Sequence, residues 1–404
     1  MAKITYPRIE HIDDLMPALR GRDDLEAAFI RCERPHFVSV DYVVMIPGIF
    51  GCLVSDPDRA AVLLRREARG IKFDARTGRT IARPHPKFFN LGQEPETRPE
   101  MLDWRAPHRV LEKLDGSMVH PTPVDDRIVF TTRKGDMVDP AIQGFVAGQN
   151  VDYLGFCREM LAQGLTPVFE WCSPAPEHRI VLVYSTPQLV LTAIRATIDG
   201  WPVDFEAMED EARRWGVPVI QTWERNLTDI DAYVEDLRVR TGIEGVVIRW
   251  DDDGYSTKVK TDDYRRQHQF LEDIQREDKA IELVLAGGED DVIPTLSQTD
   301  AEALKRYSGL INRALAAKAA WAERTVADYF ANPDATRKDF VARVANGHDK
   351  FHKALLLNVM NRGEARSQLF QLLIEPQNQS LKSLELTKRV LDLPDWYAVR
   401  DGRA

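Results

Sequence analysis

Residues 109–117 read Arg-Val-Leu-Glu-Lys-Leu-Asp-Gly-Ser, and the interpretation of the whole chain starts from this stretch. Its Val- and Leu-rich approach is typical of a strand, and the pair Asp115-Gly116 is a turn signal. Lys113 is therefore expected at a strand end, beside a glycine turn. The pattern Lys113-Leu114-Asp115-Gly116 is common by itself, with about one chance match in ten chains of this length. The pattern indicates a function only in combination with the segments around it.

Short apolar runs rich in Val, Ile, Phe and Thr surround this stretch up to about residue 262, separated by Gly, Pro and Asp. These runs predict strands. They are 127–132, 166–171, 179–184, 189–194 and 244–250. Helical pattern lies between them at 145–162 and 205–215, the latter with Asp204 as its N-cap and Gly216 as its stop. The first two thirds of the chain are predicted to mix helices and strands in an α+β fold.

Beyond residue 263 the apolar spacing becomes helical, at 301–330, 338–360 and 381–391. We therefore predict two domains, an α+β domain at 1–265 and an all-helical domain at 266–404. Residues 301–390 carry 15 Lys or Arg against nine Asp or Glu, whereas the whole chain has a net charge of −10. A solvated helical face and a surface that contacts phosphates both explain this basic region.

Further segments follow the lysine pattern in a fixed order, each on or beside a predicted strand. They are Arg133-Lys134-Gly135, Phe169-Glu170-Trp171, Glu244-Gly245, Lys258-Val259-Lys260 and Tyr264. This ordered set resembles the covalent nucleotidyltransferases, the superfamily of polynucleotide ligases and mRNA capping enzymes. The segments 68–73, 86–91, 169–174 and 178–182 resemble one branch more closely, the RNA ligase 1 family of T-even-type phages. The resemblance covers about residues 69–264.

The resemblance implies a nucleotidyltransferase domain with antiparallel sheets and flanking helices, followed by an all-helical C-terminal domain with a role in RNA specificity. It also implies an ATP-dependent RNA ligase that joins a 5′-phosphate to a 3′-hydroxyl through a lysyl-AMP intermediate and an RNA-adenylate. The nucleophile would be Lys113, because a neutral lysine amine can attack the α-phosphate of ATP. A solvated lysine at a strand end is the alternative.

By the same resemblance, a set of residues would bind the nucleotide and its phosphates. Lys258 and Lys260, two apart on a strand, would point the same way and stabilise the reacting phosphate. Gly116 would let the backbone approach the nucleotide, and Asp115 would orient its own turn. The remaining contacts would come from Arg69, Lys87, Phe89, Lys134, Glu170, Glu244 and Gly245. Phe88 and Phe89 alternate across a strand, so which ring faces inward stays open.

Glu170 and Glu244 would hold the waters of a Mg²⁺ ion, or of Mn²⁺ in its place. A salt bridge at a strand edge is the alternative for this pair of carboxylates. The acidic segment 287–291 resembles a family turn that is associated with a second metal, which makes Asp290 a further candidate ligand. A plain turn in which Asp caps the next helix explains the same segment.

Two departures from the family limit the transfer of roles. The first 60 residues match poorly, so no functional residue is carried over from them. The segment after Tyr264 is predicted helical, whereas DNA ligases and capping enzymes continue with a small β-barrel at this point. The alternatives that remain are a DNA ligase or GTP-using capping enzyme, and a non-catalytic RNA-binding protein on a ligase scaffold.

Composition sets the remaining expectations. The four cysteines are dispersed without metal-ligand spacing, which suits a reducing cytosol. The N-terminus lacks an apolar core, and the longest apolar stretch is shorter than the roughly 20 residues that span a bilayer. We expect a monomer in the cytoplasm, which is the host cytoplasm if a phage encodes the protein. It would act on RNA ends, tRNA included, and would not bind a membrane.

Overall fold

The computed structural model describes residues 4–43, 48–134, 140–175, 180–293, 296, 298–375, 377 and 380–403. The chain divides into two compact units, Met1–Arg266 and Gln267–Ala404. The first unit mixes sheets and helices, and the second unit is built from helices.

The described residues of the first unit form three β-sheets. Their strands are β1 Phe29–Glu33, β2 Phe37–Tyr42, β3 Ile71–Asp74, β4 Thr80–Ala82, β5 Phe89–Asn90, β6 His108–Lys113, β7 Ser117–Val124, β8 Arg127–Thr132, β9 Leu165–Cys172, β10 Gln188–Ala196, β11 Thr222–Arg225, β12 Gly245–Trp250 and β13 Ser256–Lys260. Sheet 1 has the order β1-β2-β3-β4, sheet 2 has β10-β9-β7-β8, and sheet 3 has β11-β6-β12-β13-β5. Every pair in these orders is antiparallel except β13 with β5. The predicted α+β fold class is confirmed.

Helices flank these sheets. They are α1 Ile12–Leu15, α2 Asp23–Ala28, α3 Arg59–Glu67, α4 Pro140–Gly148, α5 Tyr153–Ala162, α6 Phe205–Trp215, α7 Ile230–Val239 and α8 Asp262–Asp273. Helix α6 has the predicted ends: the Asp204 side chain accepts from the amide of Ala207, and Gly216 is left-handed with φ of 70°. The single helix predicted at 145–162 is wrong. It is two helices, because Asp152 caps a new start at the amide of Gly155.

The strand predicted at 179–184 is also wrong in its described part, residues 180–184, which is irregular. The amides of Val181 and Leu182 donate to the carboxylate of Asp115 instead of to a neighbouring strand. The carboxylate of Asp115 thus replaces the carbonyl oxygens of a neighbouring strand as the acceptor. Buried amides need a hydrogen-bond partner, and a side chain can provide it. Residues 178 and 179 lie outside the described residues.

The two faces of sheet 3 pack into different cores. Val110, Val246 and Ile248 belong to one core. Leu111 belongs to the core under sheet 2, and Val247 packs against that core. Because side chains alternate along a strand, Lys113 lies on the face of Leu111 and so faces sheet 2.

The second unit surrounds one hydrophobic core. Its helices are α9 Glu277–Ala286, α10 Glu289–Val292, α11 Gln298–Phe330, α12 Arg337–Arg343, α13 Lys350–Arg362, α14 Ala365–Leu373, α15 Leu384–Leu391 and α16 Trp396–Arg400. The fully buried Trp396 donates from its ring nitrogen to the carbonyl of Ile274 at 3.0 Å, and its amide donates to the carboxylate of Glu277. The carboxylate of Glu277 also accepts from the hydroxyl of Tyr307. These hydrogen bonds hold α16 against the helical core of the second unit.

Within the part of the chain that the structure describes, none of the helices has both the length and the apolar character needed to cross a bilayer.

Trp396→Ala is expected to lower the free energy of unfolding of the second unit by about 3–5 kcal/mol, because it leaves a cavity in a close-packed core. The neighbouring Tyr397 is 48% exposed and provides the matched control. Tyr397→Ala should stay within about 0.5 kcal/mol of the unchanged chain. Chemical denaturation followed by far-ultraviolet circular dichroism measures both. Equal losses in the two variants would contradict the packing described here.

Candidate active site

The register of three strands places two lysines beside one glycine. Lys113 at the end of β6 lies opposite Gly245, and Gly245 lies opposite Lys260 on β13. Lys258 is two residues before Lys260 and therefore shares its face of the sheet. The sheet itself thus brings together the three lysines predicted to be catalytic.

A buried carboxylate, that of Glu244, holds two of these lysines. Its Oε1 atom lies 2.8 Å from Nζ of Lys113 and 3.1 Å from Nζ of Lys260. Glu244 is 3% exposed, so solvent screens this pair of contacts little. The end of the Lys113 side chain is therefore fixed at the edge of sheet 3.

Gly245 has a steric reason to be glycine. Its φ is +149°, and a Cβ atom at this position would lie 2.0 Å from the carbonyl oxygen of Val259. Any larger residue would push β13 away from β12. The absence of a side chain keeps Lys260 within reach of Glu244.

Gly116 also needs to lack a side chain, because it lies close to the neighbouring strand β9. A Cβ atom there would lie 2.4 Å from the carbonyl oxygen of Trp171 on β9 and 2.9 Å from Sγ of Cys172. The structure thus gives Gly116 a packing reason within sheet 2, in addition to the predicted approach to the nucleotide.

Asp115 orients more than its own turn. Its carboxylate is buried and accepts from the amides of Val181 and Leu182 and, at 2.6 Å, from the hydroxyl of Tyr264. Burial, together with Glu244 and Asp115, raises the pKa of Tyr264, so its hydroxyl stays a donor. Asp115 therefore ties the turn after Lys113 to the segment at 181–182 and to the chain after β13.

Glu170 approaches this group from sheet 2. It lies opposite Met118 on the neighbouring strand, and Lys113, Glu244 and Arg69 all act on its charge. Burial raises the pKa of Glu170 to about 7, although Lys113 opposes the shift. Two carboxylates, one from each sheet, thus face the same space.

Cations outnumber carboxylates in that space. Burial and the positive charges of Lys113, Lys87, Arg69 and Lys260 together lower the pKa of Lys258 to about 6. Nη1 of Arg69 donates to the carbonyl of His85 and lies 3.2 Å from the sulfur of Met118. Five basic side chains thus surround two carboxylates, and this excess favours an anion, whose charge would raise the lowered pKa of Lys258.

The two adjacent phenylalanines point to opposite sides. Phe89 is 2% exposed and packs in the core of sheet 1 against Phe50. The ring of Phe88 lies 5.4 Å from Nζ of Lys258 and 5.9 Å from Cζ of Arg69. The ring of Phe89, the predicted nucleotide contact, lies 5.2 Å from Nζ of Lys87, so each ring is beside a cation of the site.

Tyr42, which the sequence did not single out, joins the site through Arg133 and Lys87. The ring of Tyr42 lies 5.5 Å from Nζ of Lys87 and 4.3 Å from the guanidinium of Arg133. Tyr42 ends β2, within the first 60 residues, from which no role was carried over. Lys134 is exposed, one residue beyond Arg133. No sequence pattern marks the Tyr42 contact, because it joins two sheets.

The predicted metal ligands differ in what the structure says of them. Among the described residues, no group of three or more His, Cys, Asp or Glu side chains could hold a metal ion. Glu170 and Glu244 are close enough to influence each other's charge. The side chain of Asp290 lies outside the described part of the chain.

The comparisons with known proteins agree with this geometry. Residues 67–265 match the family described as RNA ligase. They contain Lys113, both carboxylates and every cation of the site. The chain is therefore similar to the RNA ligase family over 199 of its 404 residues.

Relatives of this chain include phage and bacterial proteins. "RNA ligase 1" of Bacteriophage TS2126 is 26% identical over 368 residues, which cover 84% of this chain and 86% of that protein. "Putative RNA ligase" of Thermovibrio ammonificans is 33% identical over 243 residues, 58% of this chain. The match spans 62% of the Thermovibrio protein, less than two thirds of its length. An archaeal ATP-dependent RNA ligase structure is 15% identical with a TM-score of 0.43, over 69% of this chain and 71% of that one.

The pKa of Glu170 is expected to rise in Lys113→Met, because Lys113 lowers it in the unchanged protein. Carbon-13 NMR of the glutamate carboxyl groups measures the shift, with Glu170→Gln to assign the signal. Lys134→Met, which removes an exposed charge, should leave the titration unchanged. A pKa that falls or stays constant in Lys113→Met would contradict the described contact.

Proposed function

We propose that this chain is an ATP-dependent RNA ligase that joins RNA 5′-phosphate and 3′-hydroxyl ends through a covalent lysyl-AMP. The observation that carries the proposal is Lys113, held by Glu244 at the end of β6 with a surplus of cations around it. A fixed amine beside an anion-binding space suits attack on a nucleotide phosphate.

In the first step the ammonium group of Lys113 gives a proton to solvent, and the neutral amine attacks the α-phosphorus of ATP. A nitrogen–phosphorus bond forms, the bond to pyrophosphate breaks, and the nitrogen gives a second proton to solvent. Lys258, Lys260, Lys87 and Arg69 would stabilise the charge on the phosphate oxygens, since fixed cations in a dry site act strongly. Phe88, beside Lys258 and Arg69, would provide an apolar wall.

In the second step an oxygen of the RNA 5′-phosphate attacks the adenylate phosphorus and displaces Lys113, which forms the RNA-adenylate. In the third step the 3′-hydroxyl attacks the 5′-phosphate and displaces AMP, with loss of its proton. Both steps develop charge on the reacting phosphate beside Lys113, so Lys258 and Lys260 would serve them too, whereas Lys87 and Arg69 would bind the outer phosphates of ATP. The second unit, with its basic helices, would hold the RNA through phosphate contacts.

Glu170 and Glu244 fit a divalent cation. Burial and the charge of Glu244 raise the pKa of Glu170, and a cation between the two carboxylates would relieve their repulsion. Mg²⁺ binds through one or two carboxylates together with waters and phosphate oxygens, so it does not need a group of three protein ligands. When bound, Mg²⁺ or Mn²⁺ would offset the charge of the phosphates.

Lys113→Ala is expected to abolish covalent labelling by ATP that carries a labelled α-phosphate, because it removes the nucleophile. Labelled protein that survives denaturation is measured after gel electrophoresis. Lys305→Ala, a substitution of an exposed lysine in α11, should label like the unchanged protein.

Unlabelled wild type, or an equally labelled Lys113→Ala, would overturn the proposal. Labelling by GTP instead of ATP would indicate a capping-type enzyme. Sealing of nicked duplex DNA in preference to single-stranded RNA would indicate a DNA ligase. RNA binding without any uptake of AMP would indicate a non-catalytic protein.

Glu244→Gln is expected to slow the single-turnover labelling rate by about 100-fold, because Lys113 and Lys260 lose the charge that holds them. The rate is followed by rapid quench with labelled ATP. Glu235→Gln, a substitution of an exposed glutamate in α7, is the control and should keep the rate within about twofold. An unchanged rate in Glu244→Gln would show that the ion pair does not position Lys113.

A further inference from the structure

Lys72 on β3 is a fully buried lysine that the proposed chemistry does not use. Its Nζ donates to Oγ of Ser39 and to the carbonyl oxygens of Gly70, Thr132 and Arg133, at 2.9–3.0 Å. All four acceptors are neutral. Burial lowers the pKa of Lys72 to about 7.

Enclosing an ammonium group without a carboxylate in contact is costly. An apolar side chain would avoid that cost but would leave the buried carbonyl oxygens without this donor. The acceptors come from two sheets. Ser39 and Gly70 belong to sheet 1 and its approach, whereas Thr132 ends β8 of sheet 2 and Arg133 follows it.

The position of Arg133 is constrained further by its neighbours. The hydroxyl of Ser39 donates to the same carbonyl of Arg133 at 2.9 Å. Gly70, with φ of +90°, has no side chain, and a Cβ atom there would lie 2.8 Å from the backbone of Arg133. Lys72, Ser39 and Gly70 thus fix one short piece of backbone.

The side chain of Arg133 carries this constraint toward the site. Its Nε donates to Asp41 at 3.1 Å, and its Nη1 donates to the hydroxyl of Tyr42 at 2.9 Å. The guanidinium lies 4.3 Å from the Tyr42 ring, and Nζ of Lys87 lies 5.5 Å from the same ring. A continuous series of contacts therefore runs from Lys72 through Arg133 and Tyr42 to Lys87.

We infer that Lys72 is a positioning residue for the binding of ATP, which acts through Arg133 and Tyr42 on the phosphate-binding Lys87. The inference rests on the proposed function. Without the ammonium group, the carbonyls of Thr132 and Arg133 lose their shared donor. The Arg133–Tyr42 pair then no longer holds Lys87 in one place.

The test compares two reactions of the full-length protein. Lys72→Met should raise the KM for ATP in enzyme adenylation about tenfold, as expected when binding groups lose their fixed geometry, with a smaller change in kcat. Sealing of RNA that already carries a 5′-adenylate needs no ATP and should stay within about twofold. Chemical denaturation establishes the folded fraction of each variant before the comparison.

A double-mutant cycle separates positioning from a general structural role. If Lys72 acts through Arg133, the effects of Lys72→Met and Arg133→Met on the KM for ATP should not add, and the double variant should resemble Arg133→Met. Additive effects would overturn the inference. An unchanged KM, or equal losses in both reactions, would overturn it too.

These failures are distinct from failure of the proposed function. If wild type takes up no AMP, the enzyme assignment is wrong. If wild type is adenylated normally and Lys72→Met has an unchanged KM, only the role of Lys72 is wrong.

Discussion

One buried carboxylate organises the chemistry of this protein. Glu244 lies directly before the glycine that pairs with both Lys113 and Lys260, and it contacts both ammonium groups. Without that charge, the two lysines would repel each other and the remaining cations of the site. A protein accommodates five basic side chains this close because carboxylates or a bound anion offset their charge, and because the pKa of one of them, Lys258, is lowered to about 6. The same excess of basic side chains makes the site suitable for phosphates.

The backbone around the carboxylate explains why the surrounding residues are so restricted. Gly245 must lack a side chain for β13 to approach β12, and Gly116 must lack one for β7 to approach β9. Asp115 then joins the turn after Lys113 to the segment at 181–182 and to Tyr264. Sequence segments that lie far apart thus meet at a short stretch of strand ends, where a small shift would separate the amine from its phosphate.

The proposed role of Lys72 extends this arrangement to sheet 1. Of the two carboxylates, Glu170 belongs to sheet 2 and Glu244 directly precedes a strand of sheet 3, whereas Lys72 and Tyr42 belong to sheet 1. A buried ammonium that donates only to neutral oxygens can hold backbone from two sheets together without neutralising any charge needed at the site. Lys72 would thus help to position the cations of the site without a hydrogen bond to Glu170 or Glu244.

The sequence by itself predicted the α+β fold class, the helical last third, the bounds of α6 and β8, and the family that residues 67–265 match. These features depend on local periodicity, caps and short ordered motifs, which a chain carries without its tertiary contacts. Tertiary structure decided that 180–184 is irregular, that Phe88 lies beside Lys258 while Phe89 lies beside Lys87, and that Tyr42 joins the site. Each of these depends on an acceptor or a ring from a distant segment: Asp115 for the first, and the packing of sheet 1 against its neighbours for the others. Strand alternation offers two equal faces, and only the assembled core selects one of them.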